Sequence, residues 1–183
     1  AHGTDALRFT LAILAAQGRD IKLDIARISG YRAFCNKIWQ AVGGVVLSHL
    51  PRETGPLPSP NQMDLPDRWI LSRLARTIET VNAAMEDFRL NDAAAAIYQF
   101  AWHEWCDWHL ELSKNALYGR CGEQRQENTA RVSLAVTETL LRLLHPFMPF
   151  ITEKLWQELL RRVGDLAACM IAKYPAAGDF PLD

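Results

Sequence analysis

The 183-residue chain is long enough for one domain with a sizeable core, since 49 % of its residues are hydrophobic. A formal net charge of −1 argues against a surface that binds nucleic acid throughout. Four cysteines without a CxxC pair, and no apolar run near the roughly 20 residues that span a bilayer, exclude a zinc ribbon, a CxxC redox site and a membrane helix. The first residues lack the basic start and apolar core of a signal peptide, so we expect a cytoplasmic protein with reduced thiols.

The first predicted helix covers residues 6–16, with Thr4 and Asp5 as its cap and Gly18 after its end. Residues 19–23 alternate in polarity, which predicts an extended crossing to the next helix.

The second helix begins after a predicted Asp24 cap and has two distinct faces. The apolar face, which steps by three and four residues, is expected to be buried and comprises Ile28, Tyr31, Cys35, Ile38, Val42 and Val45. The polar face includes Arg32, Asn36, Lys37 and Gln40. Each glycine of the Gly43-Gly44 pair weakens a helix by roughly 1 kcal/mol against alanine, so we expect a bend or fraying there.

A proline-rich loop over 51–66 leads into a third helix with a regular apolar stripe. The stripe predicted to face the core comprises Leu71, Leu74, Ile78, Val81, Met85 and Phe88. Asn91 is the predicted cap of a fourth helix, which runs to Tyr118.

Within this fourth helix, the stretch FAWHEWCDWHLELSK at 100–114 is predicted to be the most covered part of the molecule. One apolar line, spaced by three and four, comprises Ile97, Ala101, Trp105, Trp108 and Leu112. A second line comprises Tyr98, Trp102 and Cys106. An apolar arc of this width predicts neighbours on more than one side of the helix.

A turn at 119–122 precedes a fifth helix over 128–145, whose inward residues are predicted to be Val132, Val136, Leu140 and Leu143. A sixth helix runs from Pro149 to Gly164, and residues 170–174 form a short strand or an extended tail. Together these elements predict an all-α fold, an elongated bundle of long helices packed at shallow angles.

A metal site is conceivable at His103, Cys106, Asp107 and His109, but a zinc-binding HExxH helix requires a second histidine where Asp107 stands. Packing and hydrogen bonding explain the same cluster. With no nucleophile motif, glycine-rich phosphate loop or carboxylate pair, we expect no catalytic residue, no metal and no cofactor in this chain.

The polar face of the second helix remains as the predicted functional surface. Cationic and amide side chains on one helix face suit a phosphate backbone and unstacked bases. The candidate residues are Arg19, Lys22, Arg32, Asn36, Lys37 and Gln40. A solvated face on a helical protein-interaction module, without nucleic acid, is the alternative that the residues leave open.

Several strings resemble the valyl-tRNA synthetase family, over nearly the whole chain. They are GTDALRF at 3–9, GRDIKLD at 18–24, GYR at 30–32, FCNKIW at 34–39, DRWILS at 67–72, CDW at 106–108, ELSK at 111–114 and LHPFMPFITE at 144–153. The last string also resembles class I relatives, so an isoleucyl- or leucyl-tRNA synthetase is an alternative. The strings around Arg19–Asp24 and Phe34–Trp39 favour valine.

The resemblance implies the α-helical anticodon-binding domain that follows the catalytic domain in class I aminoacyl-tRNA synthetases. Residues 1–23 would be the tail of the catalytic-domain junction, 24–165 the domain itself, and 166–183 an extended tail. HIGH and KMSKS motifs are absent, and so is the coiled-coil arm after Pro175, which implies a non-catalytic fragment of an ATP-using valine–tRNA ligase. The implied partners are a valine tRNA isoacceptor and the catalytic domain of the same polypeptide, in a monomer that binds no membrane.

One departure concerns Gly43-Gly44, where relatives commonly carry Arg-Phe. An aromatic side chain there would stack on an anticodon base, a contact worth about 1–3 kcal/mol in comparable platforms. Without it, the expected tRNA contacts rest on Arg32, Asn36, Lys37 and Gln40.

Overall fold

The computed structural model describes residues 3–16, 23–53, 55–163, 168–176 and 178–180. The α-helices are α1 (Thr4–Leu14), α2 (Ile25–Gln40), α3 (Leu65–Glu86), α4 (Leu90–Gln99), α5 (Leu110–Leu117), α6 (Glu123–Leu144) and α7 (Pro149–Val163). Two π-helical segments, Ala41–Val46 and Phe100–His109, extend α2 and join α4 to α5. Short 3₁₀ turns lie at Pro60–Gln62 and Cys169–Ile171. No β-strand occurs in these ranges, and the all-α prediction is confirmed.

The core runs the length of the bundle and takes residues from every α-helix. The predicted stripe of α3 is buried from Leu71 to Val81, and that of α6 is buried from Val132 to Leu143. Each Leu, Ile or Val side chain fully removed from water contributes about 1.5–3 kcal/mol, so these stripes supply much of the driving force for folding. The predicted buried face of α2 is likewise inward, although Tyr31 and Val45 remain half-buried at its edges.

The predicted length of the tryptophan-rich helix agrees with the structure, but the prediction of which side faces the core is partly wrong. One helical run covers Leu90–Leu117, and Trp105 is fully buried, whereas Trp108 is 61 % exposed and Leu112 is also exposed. The reason is the π segment Phe100–His109, in which each turn of the helix is wider because the hydrogen bonds join residues five apart. In such a segment residues four or five apart lie on the same side of the helix, and residues three apart do not. Consequently His109 and Leu110 share the buried side with Trp105.

The turn between α3 and α4 also differs from the prediction. Helix α3 ends at Glu86, and Phe88, expected in the core, has a left-handed φ of 56° and is 81 % exposed. Helix α4 begins at Leu90, before the predicted Asn91 cap. Its first turn is instead tied by Arg89, whose guanidinium binds the carboxylates of Asp87 and Asp92.

At the start of the chain, the predicted cap of α1 by Thr4 and Asp5 is wrong, and the Asp5 carboxylate binds a different helix. Gly3, at φ 87°, precedes α1 without a side-chain cap. The buried Asp5 carboxylate accepts hydrogen bonds from the backbone N–H of Phe150 at 3.3 Å and of Ile151 at 2.7 Å. Asp5 therefore caps α7, whose first N–H groups have no partner within their own helix.

Of the other predicted helix boundaries, some agree with the structure and some differ from it. The Asp24 cap is confirmed, with the Ala26 N–H donating to Asp24 Oδ1 at 2.9 Å, and α7 begins at Pro149 as expected. Helix α6 begins at Glu123, five residues before the predicted start at 128. Residues 170–174 begin in a 3₁₀ turn and continue extended, without strand pairing in the described part of the tail. Gly18, Gly164 and residues 19–22 of the predicted crossing lie outside the described ranges.

Candidate nucleic-acid interface

The predicted binding face lies on the outer side of α2. Arg32, Asn36 and Gln40 are exposed, as expected for residues opposite the buried stripe, whereas Lys37 is only half-exposed. Arg19 and Lys22 lie outside the described residues, so the structure does not place them beside the others. The face is defined here by Arg32, Asn36 and Gln40, with Lys37 on its flank.

Arg32 and Asn36 open onto a cleft of about 470 Å³ between α1, α2 and the start of α7. Two aromatic side chains that the sequence analysis did not select, Trp39 and Phe150, also line this cleft and are 42 % and 64 % exposed. The sequence held a signal for Trp39, because it follows Asn36 by three residues and therefore shares its face. Cations, amides and accessible rings together suit a ligand with both phosphates and bases.

Although Lys37 is part of the polar face of α2, its ammonium is not simply exposed to solvent, because it contacts two side chains of the protein. Its Nζ lies 4.1 Å from the centroid of the Trp102 indole and forms an ion pair with Asp107 Oδ1. Its side chain is 26 % exposed. Asp107 Oδ2 lies 3.4 Å from Nδ1 of His103, so both carboxylate oxygens have a neighbour.

Behind Lys37, α2 packs against aromatic rings of α1, α4 and the π segment Phe100–His109. Trp102 stacks on Tyr98 with ring centroids 5.6 Å apart, and Phe34 packs against both rings. Burial raises the pKa of the Tyr98 hydroxyl, with Asp107 adding to the rise, so this ring stays neutral over the physiological range. Such rigid packing fixes the position of α2 and of the side chains on its outer face.

The far end of the face is open where the two glycines stand. A Cβ placed on Gly43 would meet nothing within 4 Å, and one on Gly44 would meet only Oε1 of Gln40, at 3.9 Å. The glycines lie in the π segment Ala41–Val46, so the chain neither frays nor breaks there but widens its turn. A Cβ can therefore be added at either position without a close contact.

Beyond this end, a second cleft of about 360 Å³ separates the loop after α2 from the first turns of α6. Glu127 closes it, since its carboxylate accepts the backbone N–H of Arg52 at 3.0 Å and also binds Arg131. His49 packs against Tyr118 at its rim, with ring centroids 4.6 Å apart. The acidic groups here are held within internal contacts.

The four residues considered for a metal do not converge. His103 and Asp107 face the Lys37 side, whereas His109 is fully buried and its Nε2 lies 3.2 Å from Oδ1 of Asp67. Asp67 also accepts a hydrogen bond of 2.7 Å from Thr129, which makes this a packed network inside the core. Across the described ranges, no three His, Cys, Asp or Glu side chains group together to hold a metal ion.

The helices of the described ranges include none that is long and apolar enough to cross a membrane. The described residues form an all-helical bundle with one polar helix face and accessible aromatic rings beside it. The sequence profile of the anticodon-binding domain of tRNA ligase matches residues 67–182, and the chain belongs to that family.

The chain is similar to two valine–tRNA ligases. It is 45 % identical over 176 residues to that of Acinetobacter baylyi, covering 95 % of this chain and 18 % of the relative. It is 49 % identical over 185 residues to that of Geobacter sulfurreducens, covering 98 % of this chain and 20 % of the relative. The chain thus spans about a fifth of the length of these curated relatives.

Among solved structures, the fold resembles part of LeuRS from Agrobacterium radiobacter, crystallised as a ternary complex with tRNA and LeuAMS. The TM-score is 0.67 at 22 % sequence identity, covering 97 % of this chain and 20 % of that one. At this identity the likeness establishes the fold alone.

Proposed function

We propose that this chain is the domain of a valine–tRNA ligase that holds the anticodon stem and loop of a valine tRNA. The observation that carries the proposal is the 45–49 % identity to valine–tRNA ligases along nearly the whole chain. The leucine enzyme shares the fold at 22 % identity, so valine is preferred over leucine. ATP-dependent attachment of valine takes place in a catalytic domain of the same polypeptide, outside these residues.

The division of the chain belongs to the same proposal. Residues 1–23 derive from the junction with the catalytic domain, 24–165 form the anticodon-binding domain, and 166–183 form a C-terminal tail. Helix α1, which is part of the first of these segments, lies against α2, and Asp5 ties it to α7. We infer that the parent enzyme is a cytoplasmic monomer that uses ATP.

The RNA contacts are proposed for the outer face of α2. The guanidinium of Arg32 supplies a fork of donors suited to a phosphate, and the amides of Asn36 and Gln40 supply donors and acceptors for base edges. Trp39 and Phe150 offer rings on which an unstacked base can lie. Arg19 and Lys22 extend the same proposal toward the start of α2.

The proposal is tested by titrating the 183-residue chain with a tRNA transcript that bears a valine anticodon, over a series of salt concentrations. With about three to five phosphate contacts, log Kd should change with log salt by about 2–4, since each contact contributes about 0.7–0.9. A transcript with a substituted anticodon should bind more weakly at every salt concentration.

Arg32→Gln should weaken binding of the valine transcript and reduce the salt slope by about one contact. Arg76→Gln is the matched control, because it removes the same charge from an exposed position on α3. Equal effects of the two substitutions, or no discrimination between the transcripts, would contradict the assignment of the α2 face.

A further inference from the structure

The Lys37 ammonium is already partnered before any RNA arrives. Asp107 binds it from the π segment Phe100–His109, and the Trp102 ring covers it at 4.1 Å. The pair spans 70 residues of sequence, so it joins two helices and is not a local contact within one of them. Arg27 and Arg32, the other cations of α2, are more exposed than Lys37.

A carboxylate in this position resembles a phosphate oxygen in charge and in hydrogen-bond character. An RNA phosphate that approaches Lys37 must therefore displace Asp107 from the ammonium or share the ammonium with it. His103 Nδ1 lies 3.4 Å from the other carboxylate oxygen, so Asp107 keeps a neighbour when Lys37 turns away.

We propose that Asp107 is a specificity-determining residue that acts through Lys37, as an internal competitor for RNA phosphate. This inference rests on the proposed function. In the free protein, Asp107 neutralises Lys37 and lowers the affinity of this face for any polyanion. An anticodon stem held by Arg32, Asn36 and Gln40 depends little on Lys37, whereas an unmatched RNA that lacks those contacts depends on it, so the loss falls mainly on the unmatched RNA.

Asp107→Asn removes the competitor and keeps the size of the side chain. Asp107 is 41 % exposed, so the substituted chain should fold, and circular dichroism and thermal melting verify that it does. We expect affinity for a tRNA with a substituted anticodon to rise about 1.4- to fivefold, the range that an exposed charge pair of about 0.2–1 kcal/mol supports. Affinity for the valine transcript should rise less, so the ratio between the two should fall.

Two controls separate this role from general electrostatics. Glu111→Gln makes the same change in net charge one turn further along, where the glutamate pairs with Lys114 instead of Lys37. It should leave the ratio unchanged. Lys37→Met keeps an apolar side chain against Trp102, and in this background Asp107→Asn should no longer change RNA affinity, because there is no ammonium left to release.

Three results would overturn the inference. Weaker RNA binding by Asp107→Asn would mean that the carboxylate positions Lys37 for RNA rather than competing for it. An equal rise with Glu111→Gln, or a rise that persists beside Lys37→Met, would mean that only overall charge matters. Failure of the proposed function has a separate signature, because the unsubstituted chain would then not distinguish the two transcripts at any salt concentration.

Discussion

Trp105 and Trp108 lie three residues apart in one unbroken helical run, yet Trp105 is fully buried and Trp108 is 61 % exposed. The π segment that contains both residues places them on different sides of the helix. A pattern that suits a helical face in an α-helix therefore divides here between the core and the surface.

Trp105→Ala should lower the free energy of unfolding by about 3–5 kcal/mol, because it empties a large aromatic site in the core. Trp108→Ala should cost less than about 1 kcal/mol, as for most exposed positions. Urea unfolding followed by circular dichroism measures both, since it does not depend on the tryptophan signal itself. Equal losses would mean that the two side chains share one environment.

The Asp5 carboxylate should contribute more to stability than an ordinary helix cap. Asp5→Ala leaves the N–H groups of Phe150 and Ile151 without their acceptor in a partly buried place, and we expect a loss of about 1–3 kcal/mol. Asp24→Ala removes an exposed cap from α2 and should cost about 0.5–1 kcal/mol. Chemical denaturation of both variants gives the comparison, and a smaller loss for Asp5→Ala would contradict the link between α1 and α7.

Stability should fall at alkaline pH because three thiols, those of the buried Cys35 and Cys169 and of the partly buried Cys106, resist ionisation. Burial raises the pKa of Cys106 and of Cys169 to about 12 and that of Cys35 to about 11, above an ordinary value of 9.0. The unfolded chain loses these protons first as pH rises from about 9, so the free energy of unfolding should decrease until the folded thiols also ionise.

Urea unfolding at pH 8, 9 and 10 measures this loss for the parent chain and for a variant with Cys106→Ala, which should show a shallower decline. Cys121→Ala is the control, because that thiol is exposed. A decline that is identical in all three chains would assign the effect to other groups.

Gly44→Phe tests whether the open end of the α2 face can hold a base. The added Cβ meets only Gln40 within 4 Å and Gly44 is exposed, so the variant should fold and should be slightly more stable than the parent. If an anticodon base lies there, affinity for the valine transcript should rise, by at most the 1–3 kcal/mol typical of stacking. Gly43→Ala, which fills open space without adding a ring, should leave RNA affinity unchanged.

Lys37→Glu and Lys37→Met should differ in stability as well as in RNA binding. The glutamate would face Asp107 and lose the attraction to Trp102, so we expect it to cost about 1 kcal/mol or more. Methionine retains contact with the indole and should cost less. Thermal melting of the two variants gives the order, and equal melting temperatures would show that neither repulsion by Asp107 nor contact with Trp102 affects stability.

Most of the fold was predictable because buried stripes in α3 and α6 follow regular α-helical spacing. Leu71, Leu74, Ile78 and Val81 are all inward as their spacing predicts. The prediction failed at Trp108 because a π-helical turn changes the spacing that faces the core, and the residues themselves do not reveal where such a turn occurs.

The binding face was only partly predictable for a related reason. Exposure of Arg32, Asn36 and Gln40 followed from the helix of which they are part. The partnership of Lys37 with Asp107 could not be foreseen, since it depends on how two helices distant in sequence lie against each other. The role of Asp5 depends in the same way on a helix that begins near residue 149.

The hydrogen bond from Ile151 to Asp5 closes a loop of 146 residues, which has a consequence for folding during synthesis. At about 5–20 residues per second, a ribosome adds the second partner about 7–30 s after the first. During that interval the Asp5 carboxylate, which is buried in the complete fold, lacks the N–H groups of α7. Helix α1 can then pack only against α2 and other segments made earlier. The closure of the bundle is therefore a late event, and it waits for the translation of α7.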